Sequence, residues 1–132
     1  MPAHYPEDRL YHRDALWLQR LEGDEALLGI NHFAQQSLGE VVFLDLPRVG
    51  AAIRQDTPLG TIESHKAVSD MIAPVDGSVL AVNPRLRGEP GLVNSDPYGE
   101  GWVLRIRLAA TAETGHLLEA GSYLKHIGLL AE

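Results

Sequence analysis

The residue whose chemistry stands out in this sequence is Lys66, which lies in the segment Glu63-Ser-His-Lys-Ala-Val-Ser-Asp70 between two predicted strands. The chain has 11 Lys and Arg residues, and only Lys66 and Lys125 are lysines. A deprotonated lysine amine is a nucleophile that can be capped as an amide, whereas arginine stays charged. A lysine at a hairpin tip is therefore a candidate point of covalent attachment.

Other side chains offer less chemistry. The chain has no cysteine, which excludes disulfides, thiolate metal ligands and cysteine nucleophiles. Its 6 histidines show neither metal-ligand spacing nor a defensible Ser-His-Asp order, so we expect no metal site and no independent enzyme: His4, His12, His32, His65, His116 and His126. We interpret His65 as an exposed turn residue; the alternative is a local proton donor or a variant residue in the recognition of Lys66 by a modifying enzyme.

Composition bounds the class of protein. The 132 residues, 45% of them hydrophobic, predict one domain over residues 1–132 with a core of its own. No apolar run approaches the length of a transmembrane helix, and the polar first 20 residues do not resemble a secretory signal. We therefore expect a cytoplasmic protein that does not enter a membrane.

The net charge of −7 argues against a nucleic-acid partner, because binding to phosphates requires clustered Lys and Arg. It fits docking on basic surfaces of larger proteins, and it equally fits a charge that serves only solubility.

Short apolar or β-branched segments separated by Gly, Pro, Asn and Asp predict a sandwich or barrel of strands. The predicted strands are Tyr11–Gln19, Ala26–Ile30, Val41–Leu46, Ala52–Ile53, Leu59–Ser64, Val68–Ile72, Gly77–Val82 and Trp102–Leu108. Asn31 is a predicted cap for a short helix over residues 32–38 that ends at Gly39. Leu117, Leu118, Gly121 and Leu124 recur at helical spacing and predict a C-terminal helix over Ala112–Lys125.

An internal repeat is visible. Residues 39–44 align with 77–82 at an offset of 38, which also places Gly50 on Gly88, and residues 59–62 resemble 103–106 at an offset of 44. Two similar β units would then flank the hairpin that carries Lys66. Because one such unit cannot bury its own apolar face, we expect the pair to close a shared core across a pseudo-twofold axis.

Four ordered blocks resemble a known family over nearly the whole chain. They are residues 63–70, Ala73-Pro-Val-Asp-Gly-Ser-Val79, Leu92-Val-Asn-Ser-Asp-Pro-Tyr-Gly-Glu-Gly-Trp102, and Gly29-Ile30 with Ala34 and Leu38-Gly-Glu-Val-Val-Phe-Leu-Asp-Leu-Pro47. This order and spacing closely resemble the lipoyl-carrying H-proteins of the glycine cleavage system. The resemblance implies a mainly β lipoyl/biotinyl-type hammerhead, a barrel-sandwich hybrid of two antiparallel sheets with a short helix near 31–38 and a C-terminal helix.

By this resemblance, Lys66 carries lipoic acid as an amide, attached by a lipoate ligase or lipoyltransferase. The family's recognition residues lie three before, sixteen before and eleven after the lysine, and here they are Glu63, Gly50 and Gly77. The glycines would let the backbone turn tightly beside the hairpin, and the carboxylate would offer the ligase a charge. Asp70 matches a family residue that lines the cleft for the loaded arm.

The resemblance also implies a carrier that is not itself an enzyme. Such a carrier takes an aminomethyl group from glycine decarboxylase, presents it to aminomethyltransferase and is reoxidised by dihydrolipoamide dehydrogenase. The tether keeps the reactive group at high local concentration at each partner.

One position departs from the family. The family has His-Glu-Trp where this chain has Ala15-Leu16-Trp17, and that glutamate is implicated in holding the aminomethyl ammonium. Leucine neither accepts its hydrogen bonds nor balances its charge, although Asp14 shares a strand face with Leu16 and offers a replacement.

Leu16 therefore leaves a second interpretation open. The chain would then be a lipoate-binding protein that carries sulfur for heterodisulfide-reductase-like enzymes of bacterial sulfur oxidation. A biotin carrier is disfavoured because no Met-Lys-Met surrounds Lys66, and a purely structural adaptor would leave the four blocks unexplained.

Overall fold

The computed structural model describes residues 9–12, 16–31, 38–110, 112, 115–119 and 123. These residues form nine strands: β1 Leu10–Tyr11, β2 Leu16–Arg20, β3 Glu25–Ile30, β4 Val41–Asp45, β5 Ala52–Ile53, β6 Pro58–Ser64, β7 Val68–Ile72, β8 Gly77–Val82 and β9 Leu104–Leu108. A 3-10 helix spans Pro84–Arg87, and a single helical turn, α1, spans Leu92–Ser95.

The strands build two antiparallel sheets. A six-stranded sheet has the order β1-β2-β3-β9-β8-β5, and a three-stranded sheet has the order β4-β6-β7. Period-two patterning explains how one face of a strand reaches the core: in β9, Leu104, Ile106 and Leu108 are buried while Arg105 and Arg107 are exposed. The prediction of a mainly β protein with two antiparallel sheets is confirmed.

Two strands of the six-stranded sheet differ from the sequence prediction. The single strand predicted over Tyr11–Gln19 is wrong, because β1 and β2 pair with each other in antiparallel register, Leu10 opposite Leu18. The predicted strand at Trp102 begins later, at Leu104. The helix predicted at 31–38 lies outside the described residues except at Asn31 and Leu38, and Leu38 is helical.

The helix predicted over Ala112–Lys125 is wrong over residues 115–119, which form a turn, a bend and a bridge. Leu118 exchanges two backbone hydrogen bonds with Tyr11, at 2.7 and 2.8 Å, so pairing with β1 replaces helical hydrogen bonds there. Tyr123 is helical, and the remaining residues of that segment lie outside the described part except Ala112. In the described residues, no helix is long and apolar enough to cross a membrane.

The internal repeat corresponds to two strand pairs in different sheets. β4 pairs with β6 in the three-stranded sheet, and β8 pairs with β9 in the six-stranded sheet. Both pairs carry an irregularity at the same repeat position, between Val41 and Phe43 and between Val79 and Ala81, which are 38 residues apart. The repeat aligns Gly50 with Gly88 in sequence, but their backbone conformations differ: φ is +90° at Gly50 and −96° at Gly88.

Two clusters of buried side chains hold the sheets. The main core includes Leu16, Ile62 and Ile106, whereas a second cluster contains the fully buried Tyr11, Trp17 and Tyr123. Trp17 faces away from the main core because it alternates with Leu16 and Leu18 along β2. Its indole N–H donates to the carbonyl of Pro97 at 3.0 Å, which ties the loop after α1 to the six-stranded sheet.

A histidine–carboxylate pair joins β1 to the turn between β5 and β6. The Nε2 of buried His12 lies 2.7 Å from the Oδ1 of Asp56, whose φ of +65° is in the left-handed region. Hydrogen bonds from His12 and then Gln55 lower the pKa of the Asp56 carboxyl below 3.8, and His116 adds a smaller attraction. The pKa of Asp56 is lower in the folded protein than in the unfolded chain. The ionised carboxylate therefore stabilises the fold at pH values above its ordinary pKa, and this contribution is lost as the pH falls through the lowered pKa.

We therefore expect Asp56→Asn to lower the free energy of unfolding at neutral pH, with a deficit relative to wild type that shrinks below about pH 4. Asparagine tolerates the left-handed backbone, so the substitution tests the charge and not the turn. Urea unfolding of wild type and Asp56→Asn, from neutral pH to below about pH 4, measures this difference in the free energy of unfolding. A deficit that stays constant with pH would contradict the assignment.

Candidate functional site

The β6–β7 hairpin presents Lys66 to solvent. Ser64 ends β6 and its N–H donates to the carbonyl of Ala67 at 2.8 Å, which closes the turn around His65 and Lys66. Buried Ser64 also places its hydroxyl 3.4 Å from the N–H of Lys66. Both His65 and Lys66 are exposed, as the sequence predicted for a hairpin tip. The amine is thus held on a well-defined turn and is open to a modifying enzyme.

The side chain of Lys66 lies against Gly39, a contact that the sequence did not predict. A Cβ atom at Gly39 would stand 3.7 Å from the Cε atom of Lys66. Gly39 also has φ +76°, a conformation that L-residues with a side chain rarely adopt. Its position after helical Leu38 agrees with the predicted role of a glycine at a helix end. Glycine is therefore required by the chain turn, whereas a Cβ there would make only an ordinary van der Waals contact with the lysine stem.

Asn94 anchors the segment that contains Gly39. Its side-chain amide N–H donates to the carbonyl of Gly39 at 2.8 Å, and its Oδ1 accepts from the N–H of Val41 at 2.8 Å. The side chain thus extends the start of β4 as a neighbouring strand would, and holds Gly39 beside the hairpin. The sequence showed Asn94 only as part of a structured turn, because the partner segment lies 55 residues away.

We expect Asn94→Ala to lower the free energy of unfolding by about 2 kcal/mol, because two backbone groups at the start of β4 lose their partner. Ser95→Ala, at the exposed neighbouring position, is the matched control and should change it by less than about 0.5 kcal/mol. Urea unfolding of both variants measures the difference. An Asn94→Ala protein as stable as the control would contradict the bridging role.

Glu63 and Asp70 lie on the outward side of the three-stranded sheet. Glu63 pairs with Phe43 on one side and Val68 on the other, while Asp70 and Asp45 flank Thr61 in the next row. Phe43 and Val68 are 56% and 65% exposed, so two large apolar side chains stand beside the Glu63 carboxylate. We call these six residues the outer face. It combines negative charge with apolar contact area next to the turn that carries Lys66.

The two predicted recognition glycines are positioned by β8 and not by the hairpin. The N–H of Gly50 donates to the carbonyl of Val79 at 2.8 Å, in a turn where Gly50 has φ +90°. Gly77 opens β8, and a Cβ there would lie 2.5 Å from the carbonyl oxygen of Arg107. The expectation of tight turns beside the hairpin is therefore wrong for Gly77, which permits close strand contact. Gly50 does make a turn, against the six-stranded sheet.

Leu16 is part of the main core. It is 3% exposed and pairs with Ile30 in the register between β2 and β3. A leucine in this place packs against apolar neighbours and supplies no charge. Asp14, the predicted replacement for a carboxylate, lies outside the described residues. Among the described residues, no group of three His, Asp or Glu side chains could hold a metal ion.

A two-sheet β domain that presents an exposed lysine on a tight hairpin is the architecture of a carrier with a covalently attached arm. The family described as Glycine cleavage H-protein matches residues 9–128 of this chain. The chain therefore belongs to the glycine cleavage H-protein family.

Individual relatives agree with this membership. The chain is 45% identical over 121 residues to a glycine cleavage system H protein of Symbiobacterium thermophilum, covering 92% of this chain and 94% of the relative. It is 48% identical over 125 residues to that of Rubrobacter xylanophilus, covering 95% and 96%. A crystal structure of a glycine cleavage system H protein from Mycobacterium marinum matches with a TM-score of 0.86 at 35% identity, covering 95% of this chain and 100% of that one. The predicted family and its lipoyl-domain-like fold are confirmed.

Proposed function

We propose that this chain is the lipoyl carrier of a glycine cleavage system and that Lys66 is the attachment residue. The observation that carries the proposal is the exposed Lys66 amine at the tip of the β6–β7 hairpin in a member of the H-protein family. Once bound as an amide, the lipoyl group supplies a disulfide that opens to accept a transferred group and closes again on reoxidation.

The chain's own residues position this arm. The turn at Ser64 holds the lysine backbone, while Gly39 and Asn94 give the lysine stem a fixed surface beside it. Acylation removes the charge of the amine, so the positive charge of Lys66 then no longer offsets the negative charge of Glu63 on the same hairpin. Such a surface fits an enzyme whose entrance is basic and apolar.

The proposed partners follow from this role. A lipoate ligase or lipoyltransferase would load Lys66 and approach the outer face at Glu63, with Gly50 and Gly77 as further recognition positions. Glycine decarboxylase, aminomethyltransferase and dihydrolipoamide dehydrogenase would then use the loaded arm in turn. The chain would act as their shared substrate and not as a catalyst.

The sulfur carrier is not favoured, because the family and the relatives are described as glycine cleavage proteins. Leu16 stands where the resemblance assigns a glutamate that holds the aminomethyl ammonium. Without a carboxylate at that position, ammonium recognition would fall to other groups, and Asp70 is the candidate named by the resemblance.

We expect lipoylated wild-type protein, incubated with glycine decarboxylase, its pyridoxal phosphate and glycine, to gain one aminomethyl group. Leu16→Glu places a carboxylate where Leu16 is 3% exposed, so it should lower the free energy of unfolding; in the protein that stays folded, it should increase the retained fraction, since a carboxylate attracts the ammonium. Leu16→Gln is the matched control, because it adds polarity and similar size without charge. Intact mass measures the loaded fraction. Loading that occurs only in Leu16→Glu would contradict the proposal and favour the sulfur carrier.

A further inference from the structure

A groove with a volume of about 680 Å³ runs beside β4 and shares Phe43 and Asp45 with the edge of the outer face. One wall of the groove is formed by β4 and residues 46–49. The other wall is formed by residues 82–84, Leu86 and Arg87. The lining is mainly apolar and includes Val42, Leu44, Leu46, Val82 and Leu86. The volume falls in the range of true binding sites.

Exposed apolar side chains extend the groove onto the surface. Phe43 and Val49 line it and are 56% and 66% exposed, and they are two of the four large exposed hydrophobic residues in the described part of the chain. Apolar area left in water at a groove is typical of a surface that another molecule covers.

The side chains that line the groove carry more positive than negative charge, although the whole protein is negatively charged. Arg48 and Arg87 line it together with a single carboxylate, Asp45, in a chain of net charge −7. Among the described residues, three other arginines pair with carboxylates, whereas no carboxylate forms an ion pair with Arg48 or Arg87. The groove therefore offers two uncommitted guanidinium groups, which favour an anionic occupant.

The wall formed by β4 is also a strand edge. In the three-stranded sheet β4 has a described neighbouring strand, β6, on one side only, and on its other side Asn94 accepts from the N–H of Val41 at the start of the strand. An edge strand can accept an extended peptide through backbone hydrogen bonds, while alternate side chains of that peptide enter apolar pockets. A small enclosed ligand would make no use of this edge.

The loaded arm is a poor occupant. Lys66 is not among the residues that line the groove, and an aminomethyl cargo would bring a cation toward Arg48 and Arg87. The cargo and the groove therefore have charges of the same sign.

We propose that the groove beside β4 is a docking site for an extended peptide segment of a partner protein, in which apolar side chains alternate with carboxylates. The apolar residues enter between β4 and the 3-10 helix, and the carboxylates meet Arg48 and Arg87. The segment binds at a place separate from the lysine hairpin, so a partner can stay attached while the arm moves.

A fluorescein-labelled peptide of alternating valine and glutamate tests this, with a valine–lysine peptide as its counterpart. Fluorescence anisotropy should show saturable binding of the acidic peptide only, and added salt should weaken it. The double variant Arg48→Glu/Arg87→Glu should weaken binding about tenfold or more, because two attractive pairs become repulsive. Arg54→Glu is the matched control, since Arg54 is exposed but does not line the groove. In amide NMR spectra, the acidic peptide should shift resonances of β4 and residues 82–87.

Three results would overturn the proposal. The first is an acidic peptide that fails to bind, or that binds the Arg48→Glu/Arg87→Glu protein as well as wild type. The second is an equal loss in Arg54→Glu, which would indicate general charge attraction. The third is a peptide that does not bind while the groove has another occupant. That occupant would be octanoate, or a second copy of the chain detected by sedimentation, with binding that depends on Arg48 and Arg87. Thermal unfolding of each variant excludes a loss caused by misfolding.

Discussion

Lys66→Arg is expected to abolish lipoylation and all aminomethyl loading while the protein stays folded. Arginine preserves the charge and similar length on an exposed turn, so the free energy of unfolding should change by less than about 0.5 kcal/mol. It removes the acylatable amine, and the other lysine of the chain is Lys125.

The loading assay with glycine decarboxylase and glycine measures this loss directly. Lys125→Arg is the matched control and should load as wild type does. A Lys66→Arg protein that still accepts an aminomethyl group would show that another residue carries the arm. Circular dichroism of the variants establishes that folding is unchanged.

Gly29→Ala is expected to destabilise the protein by about 3 kcal/mol. A Cβ at Gly29 would stand 2.5 Å from two ring atoms of Trp17, which is fully buried and hydrogen-bonded to Pro97. The ring cannot move away without breaking that bond and disturbing the cluster with Tyr11 and Tyr123. Urea unfolding measures the change in free energy.

Gly88→Ala is the control, because nothing lies within 4 Å of a Cβ there, and it should change stability by less than about 1 kcal/mol. In a Trp17→Leu background, the cost of Gly29→Ala should fall, since the colliding ring is gone. A cost that is unchanged in that background would contradict the assigned contact.

Local patterns in the sequence predicted the hairpin well. Ala52–Ile53, Val68–Ile72 and Gly77–Val82 were predicted with the observed bounds, because turn residues mark both ends of each strand. The position of Lys66 between β6 and β7 followed from the same signals. Outward-facing Glu63 agrees with its interpretation as a residue that partners can reach.

Long-range pairing could not be predicted in the same way. The bridge between Tyr11 and Leu118 replaces predicted helix, and the hydrogen bonds of Asn94 join segments more than 50 residues apart. The need for glycine at position 29 depends on the Trp17 ring of the neighbouring strand. None of these contacts has a local signature, because periodicity reports which face is apolar and not which element covers it.

Leu16 is a different case. Its burial agrees with its apolar side chain, but the consequence for cargo recognition depends on neighbours that include the predicted substitute Asp14, outside the described residues. Sequence and fold together therefore identify the arm more firmly than the groups that hold its cargo.

The most direct measurement is the mass of the protein expressed with lipoate, followed by peptide mapping of the modified residue. We expect one lipoyl group per chain, located on Lys66, and none in Lys66→Arg. A lipoyl group on Lys125, or an unmodified chain in the presence of an active lipoate ligase, would contradict it.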